Sequence, residues 1–92
     1  MTGIYKITNQ INNKIYIGQS VDISKRWHYY KSPPETLNYK SKIISAIKKY
    51  GIENFTFEVL EECSINELDK KEYYYIKLYD SIDKGYNIHL EK

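Results

Sequence analysis

Gly3-Ile4-Tyr5-Lys6-Ile7-Thr8 and Lys14-Ile15-Tyr16-Ile17-Gly18 are two short runs rich in β-branched and aromatic residues. Asn9-Gln10-Ile11-Asn12-Asn13, a polar stretch of turn formers, separates them. Strand, turn and strand together read as a β-hairpin. A turn centred on Gln10 and Ile11 predicts Tyr5 directly opposite Tyr16. The two phenols then share one face of the sheet.

Working outward, Asp22 or Ser20 can cap a helix that continues through Ile23, Lys25, Arg26, Trp27, Tyr30 and Lys31. Ser32-Pro33-Pro34 stops it, because proline cannot extend a helix and restrains the residue before it. The spacing of Ile43, Ile47 and Tyr50 predicts a second helix from about Asn38 to Tyr50, with Gly51 as its stop. From Asn54 to Glu62 the pattern alternates, Phe55, Phe57 and Val59 against Thr56, Glu58 and Leu60, which predicts a strand. Ser64-Ile65-Asn66-Glu67 is a capping box that opens a third helix running to about Tyr79. Gly85-Tyr86-Asn87-Ile88-His89 reads as a last short strand. The order ββααβαβ does not suit a purely parallel sheet, so residue patterns alone predict a small α+β sandwich with a mixed sheet.

Ninety-two residues fit one domain, 1–92, with no internal repeat or linker. The composition, 41% hydrophobic and 28% charged, is that of a globular chain rather than a disordered one. A lone Cys63 has no partner for a disulfide and no Cys or His at zinc spacing, which favours a reducing compartment and no structural zinc. Met1-Thr2-Gly3 leads straight into the first strand pattern, with no leader and no apolar span of membrane length. A cytoplasmic, unsecreted protein is the expectation. The net charge of +2 hides an asymmetry. Residues 1–50 carry nine Lys/Arg against two acids, and residues 51–92 carry five Lys against ten acids. A basic face that follows phosphates is one consequence; a merely solvated surface is the plainer one.

The third predicted helix contains a residue that breaks its own pattern. Its apolar seam is Ile65, Leu68, Ile76 and Tyr79, and Glu72 sits on that seam at the i+4 step between Leu68 and Ile76. A carboxylate on a buried stripe costs several kcal/mol unless a cation or strong donors meet it. A structural Glu that snorkels or pairs with a lysine is one reading; a metal ligand or acid–base group is the other. A single carboxylate with hydroxyls and water nearby suits Mg²⁺, which keeps most of its waters. Arg26 offers a fixed, permanently charged fork to a phosphate, or else an exposed ion pair. His28 and His89 have no zinc-ligand spacing and read as surface or structural.

With Tyr5, Tyr16, Arg26 and Glu72 assembled, the sequence resembles the GIY-YIG nuclease family over essentially its whole length, in particular the catalytic domains of phage- and intron-encoded homing endonucleases. Six segments carry the resemblance in order. They are Gly3–Asn9, Asn13–Gly18, Asp22–Trp27, the Lys49-Tyr50-Gly51 run before Phe55, the Glu72 helix, and Gly85-Tyr86-Asn87-Ile88. The resemblance implies a central three-stranded antiparallel sheet flanked by helices, and hydrolysis of DNA phosphodiesters with one Mg²⁺ or Mn²⁺ ion. It implies that Tyr5 is the general base or its relay, that Tyr16 positions water or phosphate, and that Arg26 stabilises charge on the scissile phosphate. Glu72 would bind the metal, and Asn87 would either close the site structurally or contact the metal environment.

Three positions depart from the family pattern. Tyr30 stands where many homing-type members have His, Asn38 occupies a polar site that is often His, and Gln19 stands where repair-type members tend to carry Lys. Tyr30 keeps a place in the catalytic set, with a hydroxyl able to reach phosphate or Tyr5. Candidate DNA contacts are Lys25, Arg26, Lys31, Asn38 and Lys40. The expected partner is DNA, with no membrane, and the expected form is a monomeric catalytic module, which homing-type relatives join to a C-terminal DNA-binding region. The competing readings are a catalytically weak nucleic-acid-binding domain of the same fold and a Tyr-rich protein-interaction module.

Overall fold

The computed structural model describes residues 1–32 and 42–87. Three strands, β1 (Gly3–Asn9), β2 (Ile15–Ser20) and β3 (Phe55–Glu62), form one antiparallel sheet in the order β2-β1-β3. Three helices complete the described fold: α1 (Ile23–Lys31), α2 (Lys42–Tyr50) and α3 (Leu68–Tyr79). Every pairing in this sheet is antiparallel, so the mixed sheet expected from element order alone is corrected. Residues Gly85–Asn87 form no strand either. Ile88 and His89, with which that strand was expected to end, lie outside the described residues, as do Asn38 and its neighbours at the expected start of the second helix.

β1 lies in the middle because it is apolar on both faces. Tyr5 and Ile7 point into a cluster with Ile23 and Tyr30 of α1 and Ile43, Ile44, Ala46 and Ile47 of α2. Ile4 points the other way, to Ile17 of β2 and Leu68 and Ile76 of α3. The result is a three-layer sandwich, with α1 and α2 on one face and α3 on the other. Ile4, Ile7 and Ile17 are fully buried, each worth about 1.5–3 kcal/mol of transfer free energy. β3 shows the expected alternation, with Phe55, Phe57 and Val59 on the α1–α2 side. Between Ile4 and Tyr5 its register slips by one residue, leaving Leu60 as a bulge that turns toward α3.

The local signals at the helix ends act as the sequence dictates. The Asp22 side chain caps α1 by accepting from the Lys25 amide at 3.2 Å, and Ser20 Oγ accepts from the Asp22 amide at 3.0 Å. Gly51, at φ 90°, ends α2 in a conformation that side chains resist. The Ser64–Glu67 capping box is formed, but it opens a 3-10 turn, Ile65–Glu67, and only then α3. That tighter turn rotates Ile65 out to solvent, so Ile65 does not belong to the buried seam.

The hairpin register differs from expectation by two residues. Tyr5 pairs with Gly18, and Tyr16 pairs with Ile7. The Asn9 carbonyl accepts from the Asn13 amide at 2.7 Å, and Asn13 takes a positive φ of 63°, so the turn is one residue farther along the chain than Gln10 and Ile11. A shift of two preserves side-chain parity, and the two phenols still share a face. They now meet diagonally, ring centroids 6.4 Å apart, because the Tyr5 ring lies over Gly18. A methyl group at position 18 would sit 2.4 Å from the Tyr5 ring and hydroxyl.

The outer side of β2 is closed by the segment after α3. The Tyr86 amide donates to the Ile15 carbonyl at 2.8 Å. The Asn87 carboxamide accepts from the Ile17 amide and donates to the Ile17 carbonyl, each at 2.9 Å. One side chain thus replaces the missing rung of a strand ladder, contributing about 1 kcal/mol per bond. The Tyr86 hydroxyl accepts from Asn9 and Asn12, fixing the hairpin turn to the same segment.

Gly18→Ala is expected to lower stability by about 1–3 kcal/mol through overpacking. It should also change the near-ultraviolet circular dichroism as the Tyr5 ring is displaced. An unchanged melting temperature and spectrum would contradict the close approach.

Candidate active site

An open cleft of about 420 Å³ lies around the β2 edge, lined by Tyr5, Tyr16, Gln19, Ser20, Val21, Arg26, Tyr30, Leu68 and Glu72. Both outer layers contribute to it, α1 from one face and α3 from the other. That is possible only because β2 is the last strand of the sheet on that side. Gly18 leaves the Tyr5 phenol room to extend toward the same edge.

Three phenols form one wall. Tyr5 is buried, Tyr30 is nearly so, and their hydroxyls are 3.1 Å apart. Tyr16 is half-buried and stacks edge-on against Tyr30, at 6.3 Å between ring centroids. Trp27 backs Tyr5 in a T-shaped contact at 6.2 Å. Burial raises the pKa of Tyr5, and the nearby Tyr16 raises it further, while the hydrogen bond to Tyr30 and the charge of Arg26 oppose the shift. Burial likewise raises Tyr16 and Tyr30, with Arg26 again opposing. Arg26 itself is exposed on α1, where its guanidinium carbon lies 5.9 Å from the Tyr29 ring.

Glu72 faces these phenols from α3. Although it is a carboxylate, it is only 6% exposed, which bears out its place on the buried seam. Its Oε1 accepts from Gln19 Nε2 at 3.0 Å, and the same amide donates to Asp69 Oδ1 at 2.8 Å. Gln19 therefore ties the end of β2 to two carboxylates one turn apart on α3. Sequence reading noted Gln19 only as a departure and missed this contact. The signal was present in the strand alternation, which puts Gln19 on the same side as Ile17, the side that α3 covers.

Five of the expected site residues thus come together: Tyr5, Tyr16, Arg26, Tyr30 and Glu72. Asn87 does not line the cleft; it holds the backbone of Ile17, between Tyr16 and Gly18. Lys25 and Lys31 are exposed on α1 but outside the cleft lining, and the Lys31 ammonium lies 5.3 Å from the Phe57 ring. Asn38 and Lys40 lie outside the described residues. Among the described residues, no group of three His, Cys, Asp or Glu side chains could hold a metal ion. The donor set that remains, one buried carboxylate beside hydroxyls, fits a hard cation that keeps most of its water, and not zinc.

Comparison with known proteins returns a catalytic domain. The model of the GIY-YIG catalytic domain matches residues 1–87. The chain is 33% identical over 90 residues to intron-associated endonuclease 1 of Enterobacteria phage T4, covering 95% of this chain. It is 44% identical over 64 residues to the putative endonuclease segD of the same phage, covering 70% of this chain. It spans only 36% and 26% of the lengths of those two proteins. Among solved structures, the catalytic domain of the homing endonuclease I-TevI superposes with a TM-score of 0.82 at 33% identity, covering 97% of this chain and 99% of that one. A point variant of the same domain gives 0.83 at 31% identity, with coverage of 99% and 96%. The chain belongs to the GIY-YIG family and is an endonuclease domain by class.

The raised phenol pKa values fix a pH dependence. A tyrosine whose folded-state pKa lies above its unfolded value of about 10 contributes stability that is fully present below pH 10. That stability is lost as pH rises through the folded-state value. In an alkaline titration followed by phenolate absorbance, Tyr5, Tyr16 and Tyr30 should therefore ionise only as the fold is lost. Reversible ionisation of these three near pH 10, with the fold intact, would contradict the burial described.

Proposed function

We propose that this domain hydrolyses phosphodiester bonds of DNA with the help of one divalent ion, Mg²⁺ or Mn²⁺, as the catalytic module of a homing-type or phage endonuclease. The observation that carries the reading is the convergence on one cleft of three phenols, a guanidinium and a buried carboxylate from β1, β2, α1 and α3. The names of the phage relatives support the same substrate class.

In this reading Arg26 binds the scissile phosphate. Its charge is permanent and already in place where negative charge grows in the transition state. Glu72 is the residue that would hold the ion. Its carboxylate, oriented by Gln19, would supply the protein ligand, and phosphate and water would complete the coordination. The bound ion would supply charge stabilisation to the phosphate and to the leaving oxygen.

Tyr5 is the residue placed to take the proton of the attacking water. Burial makes its phenolate costly, so a full ionisation step is disfavoured in the cleft as it stands. A neutral relay fits better: the Tyr5 oxygen accepts one proton while its own passes toward the Tyr30 hydroxyl at 3.1 Å. Tyr16, half-buried and packed edge-on against Tyr30, lies between that pair and solvent. In this scheme Tyr30 serves as the proton carrier beside Tyr5, a role an imidazole would otherwise fill. Gln19 and Asn87 are positioning residues. One orients the Glu72 carboxylate, and the other holds the strand that carries Tyr16.

Plasmid nicking with and without Mg²⁺ tests the proposal. Glu72→Ala should abolish metal-dependent cleavage while the protein stays folded, and full activity in that variant would sink the assignment. Tyr5→Phe and Arg26→Ala should each lower kcat by about 10²–10⁴-fold and about 10²–10³-fold respectively. Gln19→Ala should raise the Mg²⁺ concentration for half-maximal cleavage by about 10–100-fold, with kcat at saturating metal changed far less. A loss of kcat with no change in metal requirement would assign Gln19 to some other task.

A further inference from the structure

A second hollow of about 420 Å³ opens where the hairpin turn meets α2, lined by Asn12, Lys14, Lys42, Ser45, Ala46, Lys49, Tyr50, Gly85 and Tyr86. Its chemistry differs from that of a third hollow, on the outer side of α3. There Lys71 pairs with Glu61 at 2.7 Å and Tyr75 donates to Glu61 at 2.9 Å, so the charges are compensated from within. The hollow beside α2 is bordered by three lysines, Lys14, Lys42 and Lys49, with the Lys49 ammonium 5.3 Å from the Tyr50 ring, and among the described residues no carboxylate lines it. All three lysines are exposed. Lys42 and Lys49 lie two helical turns apart on one side of α2. Lys14 projects from the turn, whose backbone is fixed: the Lys14 amide donates to Asn12 at 2.9 Å and its carbonyl accepts from Asn9 at 2.9 Å. Tyr86 holds Asn9 and Asn12 from below. The three lysines thus make a positively charged trough mounted on a hydrogen-bonded turn and one helix face.

Its position relative to the cleft is set by β2. Lys14 immediately precedes that strand, and Tyr16, Gln19 and Ser20 of the same strand line the cleft, so one extended segment joins the two openings. Both openings draw on the α1–α2 side of the sheet, Arg26 and Tyr30 lining one and Lys42 and Lys49 the other. Three point charges without a carboxylate suit phosphate oxygens, which ask for charge and not for base identity.

We propose that the Lys14–Lys42–Lys49 trough grips the backbone of the DNA duplex beside the phosphate in the cleft. The trough would set which way the duplex enters the cleft. The proposal rests on the nuclease reading above, since it takes DNA as the ligand. Catalysis should not depend on it once substrate is bound.

The test uses a combined variant, Lys14→Ala with Lys42→Ala and Lys49→Ala, on this same chain. Affinity for a fluorescent DNA duplex, measured without Mg²⁺ across a series of salt concentrations, should fall by about tenfold or more at low salt. The slope of log affinity against log salt should become shallower by up to about 2.7, since each phosphate contact releases about 0.9 of a counterion. In plasmid cleavage KM should rise by a similar factor with kcat within about twofold of the parent. Replacing the same three lysines by arginine should restore binding. Unchanged affinity, salt slope and KM in the alanine variant, with a parent that binds and cuts, would overturn the trough and leave the nuclease reading standing. A parent that neither binds nor cuts duplex DNA would overturn both.

Discussion

The Tyr5 ring fills the space that any side chain at position 18 would need, and much of the molecule is arranged around that contact. A phenol on the central strand would ordinarily be sealed inside, between sheet and helices. Glycine on the neighbouring edge strand lets the ring lean outward, so that a buried residue delivers its hydroxyl to a surface cleft. The remaining groups then have to reach the same rim. α1 does so from one face with Arg26 and Tyr30, and α3 from the other with Glu72. An edge strand such as β2 is where the two outer layers of a three-layer sandwich can meet without passing through the sheet.

The same geometry sets the electrostatics. Burial that keeps the phenols in register also disfavours their ionised forms, and Arg26 offsets only part of that cost. The cleft thus gathers phenol oxygens, a carboxylate and one guanidinium on a single rim. Glu72 is the counterpart on the other wall. Its burial, unfavourable on an ordinary helix, is eased by the Gln19 amide, which donates to one carboxylate oxygen.

How much of this was written in the sequence depends on the range of each interaction. The hairpin was legible from residue type, and a register misplaced by two still put the phenols on the correct face, because side chains alternate with a period of two. The bounds of α1 were legible because Asp22 caps it locally. Glu72 could be singled out because it violates a local periodicity. The Gln19 contact was not legible in the same way, since it depends on how α3 docks against the end of β2. Nor was the role of Asn87, whose partner Ile17 is 70 positions away and leaves no local pattern. The antiparallel sheet was legible only through family resemblance. Element order alone allowed a mixed one, because the connection from β2 to β3 through two helices does not fix strand direction.

The carboxamide of Asn87 has a consequence for the molecule's behaviour among its own copies. An edge strand with free amides and carbonyls is a template on which another chain can add itself, the usual first step of aggregation. Here Asn87 and the Tyr86 amide occupy those groups at Ile15 and Ile17, and they do so with a side chain and an irregular segment rather than a further strand. A strand would have moved the exposed ladder outward by one position. A carboxamide ends it at Ile17, on the same strand whose far end carries the cleft.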